Sequence, residues 1–234
     1  MSEETYVIVG GSNGIGLGIV QRLSREGKKV LVLSRTSEHL SELDGVTHQT
    51  IDVSTDEITA NMLPEKIAGL AYCPGTLNLK SFKKLKPDVF RSDFEVNVIG
   101  AVKAIQAAMP GMKAAENPSV LLFSTVAVGQ GMFAHASIAA SKGAIEGLTR
   151  SLAAELSPNV RVNCIAPALT NTTLTSRLFT SEEKIAAMGE KYPLKRTGTV
   201  DDLAEVSCFL MSPGSGWVTG QVIGVDGGMS TVRT

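Results

Sequence analysis

Val9-Gly10-Gly11-Ser12-Asn13-Gly14-Ile15-Gly16 is the stretch from which the fold is read. Before it runs Tyr6–Val9, a short apolar segment with the character of a strand. After it comes a stretch near Ile15–Arg25 in which Ile15, Ile19, Val20 and Leu23 share one helical face. A glycine loop that leaves a strand and opens a helix suits the pyrophosphate of a dinucleotide. Gly10 allows the tight turn and Gly14 lets the backbone approach the phosphates. Gly16 lets helix and strand pack closely, and the helix N-terminus favours the negative charge. Ser12, Asn13 and Ile15 complete the cradle. The same glycines would also serve a turn with no ligand, so the strand–loop–helix context carries the reading.

Outward from this loop, short apolar runs alternate with longer amphipathic ones, the pattern of a parallel sheet covered on both faces. Strands are expected at Tyr6–Val9, Val30–Ser34, His48–Ile51, Leu70–Cys73, Val120–Ser124, Arg161–Ile165 and Gln221–Val225. Helices are expected near Ile15–Arg25, Asp56–Met62, Pro87–Ala115, Ser137–Leu156 and Val200–Met211. The fold class is α/β: a doubly wound Rossmann-like domain with a mostly parallel seven-stranded sheet. No repeat, low-complexity tract or linker divides residues 1–234, so one domain is expected. Leu77–Lys86 and Leu169–Gly198 read as irregular, the latter with a short helix around Ser181–Glu190. Residues 169–198 follow a strand's carboxyl end, where ligands of such sheets bind, and are expected to form a substrate loop or lid.

Composition narrows the function. A net charge of −1 gives no basis for nucleic acid or an anionic membrane surface as partner. Cys73, Cys164 and Cys208 are odd in number and widely spaced, which fits free thiols in a reducing compartment better than disulfides or a metal site. The opening Met1-Ser2-Glu3-Glu4-Thr5 leaves no room for a basic, apolar leader, and the apolar runs are too short for a membrane span. A soluble cytoplasmic protein is expected.

Three further stretches extend the pattern of the glycine loop. They are Phe94-Glu95-Val96-Asn97-Val98-Ile99-Gly100, then Ala139-Ala140-Ser141-Lys142-Gly143-Ala144, then Val162-Asn163-Cys164-Ile165-Ala166-Pro167. In this order, and over essentially the whole chain, they resemble the short-chain dehydrogenase/reductase family. The resemblance implies an oxidoreductase that uses a nicotinamide cofactor and assembles as a homotetramer or homodimer. Val9 stands where the family usually has threonine, which removes a structural hydroxyl but no phosphate contact. Tyr72-Cys73-Pro74-Gly75 occupies the place of the family's Asn-Asn-Ala-Gly, with Gly75 retained for backbone approach to the adenosine ribose beside Cys73. Asp52-Val53 resembles the adenine-binding pair, with a surface-loop aspartate as the alternative. Pro167, Thr170 and Thr172 fall in a segment resembling the Pro-Gly-x-x-x-Thr that reaches the nicotinamide carboxamide.

The end of the second strand discriminates between the nicotinamide cofactors, since an acidic residue there would bind the ribose and repel a 2′-phosphate. Leu33-Ser34-Arg35-Thr36 contains no carboxylate. Arg35 offers a planar set of donors suited to phosphate, and Ser34 and Thr36 add hydroxyls. NADP(H) is therefore expected over NAD(H), with Arg35 as an ordinary solvated charge the alternative.

Carbonyl reduction needs a hydride delivered to carbon and a proton to oxygen. In the family a tyrosine donates the proton, a lysine lowers its pKa, a hydroxyl positions the substrate oxygen and an asparagine connects the lysine to water. The resemblance places Lys142, Thr125 (with Ser124 beside it) and Asn97 at the last three positions. The tyrosine position, four residues before Lys142 and on the same helical face, holds Ile138. Four accounts of the missing acid stay open. A water held by Lys142, Asn97 and Thr125 relays the proton; His135, about one turn before Ile138, replaces the acid; adjacent Ser137 does so; or the protein binds cofactor without catalysis, as a sensor or partner subunit. The expected substrate is small and partly apolar, a carbonyl or conjugated carbonyl, with Leu169, Leu174, Leu178, Phe179 and Met188 as candidates for its wall and core packing of a lid helix as the equal alternative for them.

Overall fold

The computed structural model describes residues 4–179 and 181–233. Met1, Ser2 and Glu3, part of the opening on which the expectation of no leader rests, lie outside them. Seven strands form one sheet: β1 (Thr5–Val9), β2 (Lys29–Ser34), β3 (Val46–Thr50), β4 (Ile67–Tyr72), β5 (Ser119–Phe123), β6 (Arg161–Pro167) and β7 (Val222–Val225). Their order is β3-β2-β1-β4-β5-β6-β7 and every pairing is parallel. The chain runs outward from β1 to β3 and returns to start the other half at β4. Between β1 and β4 the order reverses, which opens the crevice where such sheets hold ligands.

The strand period of two divides the core. Val7, Val9, Leu31, Leu33, Leu70 and Tyr72 pack on one face, while Tyr6, Ile8, Val30, Val32 and Ala71 pack on the other. The first face is covered by α3 (Gly100–Lys113) through Ala101, Ala104, Ile105 and Ala108, and by α5 (Ala136–Leu156) through Ile145 and Ala153. The second is covered by α1 (Gly14–Arg25) through Ile19, Val20 and Leu23, and by α7 (Val200–Met211) through Leu203 and Ala204. Both faces being buried explains why these strands read as continuous apolar runs rather than as alternating ones.

Two sequence expectations need correction. No α-helix spans Asp56–Met62; only a single 3₁₀ turn forms at Ala60–Met62. Asp56 is tied into a turn instead, its amide bonded to Asp52 O and its carboxylate accepting from the Asp52 amide, both at 2.8 Å. At the other end Leu63 is extended, as steric contact with the ring of Pro64 requires. Pro87–Ala115 is helical but not uniformly so. α2 (Pro87–Phe94) leads into a π-helical segment, Glu95–Ile99, which continues into α3.

Residues 169–198 are irregular, as expected. They carry a 3₁₀ turn at Ser176–Leu178 and a short helix, α6 (Glu182–Gly189). The base of this loop is closed by Asn171 N donating to Gly198 O and Gly198 N to Leu169 O, both at 3.1 Å. Its far end is clamped to α7, where Arg196 grips Asp202 with two bonds of 2.6 and 2.8 Å. Asp202 also belongs to the capping box that Thr199 sets at the start of α7.

Candidate active site

The glycine loop leaves β1 at its carboxyl end, beside the crevice. Gly10 and Gly14 have φ of +74° and +54°, a left-handed backbone that side chains disfavour. A Cβ on Gly16 would collide with the Gly10 carbonyl, so this turn closes only with glycine there. Asn13 is the N-cap of α1, yet its side chain caps nothing. It donates instead to Ser12 Oγ at 3.2 Å, and Ser12 Oγ lies 3.1 Å from Thr36 Oγ1. The first amides of α1 thus lack a side-chain cap and are offered to an anion. This open cradle, together with the missing Cβ atoms, fits the pyrophosphate of a dinucleotide. Ile15 packs at its edge against the core on the α1 side.

The flanking candidates divide by exposure. Arg35 is exposed and forms no ion pair among the described residues. Ser34 is buried and its hydroxyl is engaged internally, with Thr36 O at 2.8 Å and His48 Nε2 at 3.1 Å. Asp52 Oδ1 accepts from the amide and hydroxyl of Ser54, at 3.0 and 2.6 Å. These bonds hold its carboxyl below the usual range, with a small contribution from Arg35. Val53 packs against the core near Gly100. Cys73 follows β4 with its amide on Val9 O at 3.0 Å, and burial pushes its thiol up to about 12.

Across the crevice, Pro167 ends β6 and its carbonyl accepts from the Val126 amide at 3.2 Å. Thr170 is buried, its hydroxyl donating to Ala168 O at 3.1 Å, which places it in the closure of the loop. Thr172 comes back over the glycine loop, its Cβ 3.3 Å from where a side chain on Gly14 would start. The segments that follow β1 and β6 thus meet at Gly14 and Thr172.

The polar centre forms around Gly75. A Cβ built there would lie 3.4 Å from Asn97 Oδ1 and 3.6 Å from Lys142 Nζ. α5 brings Lys142 into this position, buried, and burial lowers its pKa to about 8. The π-helical segment brings Asn97. A widened turn deprives carbonyls of their ordinary helical partners. Tyr72 supplies one, its hydroxyl donating to Val96 O at 2.5 Å. Burial raises the Tyr72 pKa, which keeps the phenol a donor. Gly100 leaves the room, since any side chain there would strike the Tyr72 hydroxyl. Tyr72, in a place where the resemblance predicts asparagine, therefore braces the turn that carries Asn97.

Thr125 follows β5, half-buried, and its Oγ1 accepts the Ala127 amide at 3.3 Å at the start of α4 (Ala127–Gln130). Neighbouring Ser124 is turned elsewhere and donates to Glu146 Oε1 at 2.8 Å. Ile138 is buried one helical turn before Lys142. His135 precedes α5 with its Nδ1 2.7 Å from Phe133 O. A carbonyl only accepts, so Nδ1 is the donor in this contact. Ser137 is buried with its hydroxyl unpaired among the described residues. Sequence reasoning missed Asp93, which is buried, and half-buried Thr76 and Asn78, which bond to it and form a polar cluster with Asn97. The available signal was Asp93 and Asn97 at i,i+4 on the apolar face of an otherwise ordinary helix.

A family model described as enoyl-(acyl carrier protein) reductase matches residues 9–230. The chain belongs to the short-chain dehydrogenase/reductase family. It is 32% identical over 251 residues to 2-(S)-hydroxypropyl-CoM dehydrogenase 3 of Xanthobacter autotrophicus, covering 99% of this chain and 98% of that one. It is 31% identical over 230 residues to the 3-oxoacyl-[acyl-carrier-protein] reductase MabA of Mycobacterium tuberculosis, covering 96% and 92%. Ligand-free aldohexose dehydrogenase of Thermoplasma acidophilum superposes with a TM-score of 0.89 at 26% identity, covering 99% and 97%. This short-chain dehydrogenase/reductase family is one of nicotinamide-dependent oxidoreductases. No helix among the described residues is long and apolar enough to cross a membrane.

Proposed function

We propose that the protein is a cytoplasmic NADPH-dependent oxidoreductase that reduces a carbonyl or conjugated carbonyl on a small, partly apolar substrate. The observation that carries this reading is the convergence of Lys142 and Asn97 on Gly75, next to Pro74, which packs against Gly10 of the glycine loop. Gly10, Ser12, Asn13, Gly14, Ile15 and Gly16 hold the pyrophosphate, and Arg35 with Thr36 holds the 2′-phosphate. Asp52, Val53, Cys73 and Gly75 border the adenosine. Lys142, Pro167, Thr170 and Thr172 border the nicotinamide half, with Thr170 acting through the loop it closes. When bound, the reduced nicotinamide supplies a hydride. Thr125 Oγ1 positions the substrate oxygen, and a water shared by Lys142 Nζ and Asn97 Oδ1 delivers the proton that Ile138 cannot. The substrate wall is Leu169, Leu174, Leu178, Phe179 and Met188, none of which is buried and of which Leu174 is 49% exposed. The exposed Trp217 supports a homodimer or homotetramer through the C-terminal segment.

The burial of Ile138 favours a second reading, an NADP(H)-binding sensor or partner subunit without turnover. Initial rates of NADPH oxidation across a panel of carbonyl and conjugated-carbonyl substrates separate the two. Turnover with any of them supports the reductase, and its absence across the panel supports the sensor. Arg35→Asp tests the cofactor choice within either. Loss of a charge-assisted bond worth about 1.5–3 kcal/mol predicts a roughly 10–100-fold weaker affinity for NADPH and a preference moved toward NADH. An unchanged preference would refute the role of Arg35.

A further inference from the structure

We infer that Asp93 is a positioning residue that fixes which end of the Asn97 amide faces Lys142. The inference rests on the reading of Lys142 as the site lysine. Asp93 lies on α2 one turn before Asn97 and is 0% exposed. An aspartate fully inside a helix-covered face is a costly choice unless its carboxylate is bound. One oxygen is bound: Oδ1 accepts from Thr76 Oγ1 and from Asn78 Nδ2, each at 2.6 Å, while Oδ2 is buried with no hydrogen-bond partner among the described residues.

The consequence reaches the site through hydrogen-bond polarity. Because the Thr76 hydroxyl gives its proton to Asp93, its oxygen is left as an acceptor, and Asn97 Nδ2 donates to it at 2.9 Å. The other Nδ2 hydrogen goes to the Asp93 backbone carbonyl at 2.7 Å. Both amide hydrogens of Asn97 thus end on Asp93, one directly and one through Thr76. Asn97 Oδ1 is left without a protein partner among the described residues and lies beside Gly75, where a Cβ would be 3.4 Å from it and 3.6 Å from Lys142 Nζ. An acceptor at that point holds an ammonium or a water that bridges to it; a flipped amide would present a donor and repel it. The other groups that act on Lys142 are Cys73 after β4 and Cys164 on β6. Burial pushes both thiols up to about 12, so they are uncharged while the lysine titrates.

The test reads Lys142 without depending on turnover. Pulse labelling with acetic anhydride, followed by mass spectrometry of the Lys142 peptide, gives its titration midpoint across neutral to alkaline pH. The variants are Asp93→Asn, Thr76→Val and Thr76→Ser in the full-length chain. Asp93→Asn and Thr76→Val are expected to lower the midpoint by about one pH unit, a tenfold change in the protonation ratio. Thr76→Ser keeps the hydroxyl and is expected to match wild type. Where turnover is measurable, kcat should fall in the first two with KM little changed. If Asp93→Asn does not fold, the Thr76→Val and Thr76→Ser pair decides. An unchanged midpoint in folded Thr76→Val, or an equal shift in Thr76→Ser, would overturn the inference. A panel without turnover leaves the labelling result standing, so the two failures are distinguishable.

Discussion

Ile138→Tyr is expected to raise carbonyl turnover by about 10²–10⁴-fold, the usual worth of a general acid. α5 places position 138 one turn before Lys142, and residues four apart on a helix are neighbours. A phenol there would meet the Lys142 amine near the polar centre at Gly75. The ammonium favours the phenolate and so lowers the tyrosine pKa toward neutrality. The variant's pH profile has a fixed sign in the reductive direction. The phenol must be protonated to act, so activity holds at lower pH and falls as pH rises through its pKa. Initial-rate assays of both proteins with the same substrate check this. Equal rates would mean that proton delivery at this face does not limit the reaction.

Lys142→Ala is expected to have the second largest effect, a loss of about 10²–10⁴-fold in any turnover the wild type shows. It removes both the amine that borders the ribose and the group that holds the relayed proton. Stability should move the other way. Burial lowers the lysine pKa from 10.5 to about 8, which corresponds to a cost on the order of 3 kcal/mol while the buried group is charged. Below pH 8 the folded wild type carries that full cost. Between about 8 and 10.5 the unfolded chain binds more protons than the folded one, so wild-type stability rises with pH through this window. The alanine variant should lack that rise, and thermal unfolding across the window reads it. A variant with unchanged turnover would mark Lys142 as a structural helix lysine.

The fold was legible because its signals are local and repeated. The glycine loop between β1 and α1 and the apolar runs of β1, β2, β4 and β5 each state one element, and a parallel sheet buried on both faces needs such runs. Asp56–Met62 misled because its few apolar residues imitate a helical face. The Asp52–Asp56 turn and Pro64 are tertiary and steric facts that periodicity does not carry. The π-helical turn at Glu95–Ile99 was invisible for a related reason. It depends on Tyr72 and Gly100, which are distant in sequence from each other and meet only in the fold. Within the candidate site, Lys142 and Asn97 were named through the family resemblance, and the structure brings both close to Gly75. Asp93 was not, because its meaning lies in bonds to Thr76 and Asn78 across a loop. Ser34 adds what the sequence does not carry, a hydroxyl that donates to Thr36 O and lies 3.1 Å from His48 Nε2.

The central claim is that this crevice binds NADP(H), whatever becomes of the proton. Thermal unfolding of the wild-type protein with NADPH and with NADH tests it most directly, because a ligand that binds only the folded state must stabilise it. At about 100 times the dissociation constant the stabilisation is about 2.7 kcal/mol. The account predicts a clear rise in melting temperature with NADPH and a smaller one with NADH at the same concentration. No rise with either, or a larger rise with NADH, would contradict it.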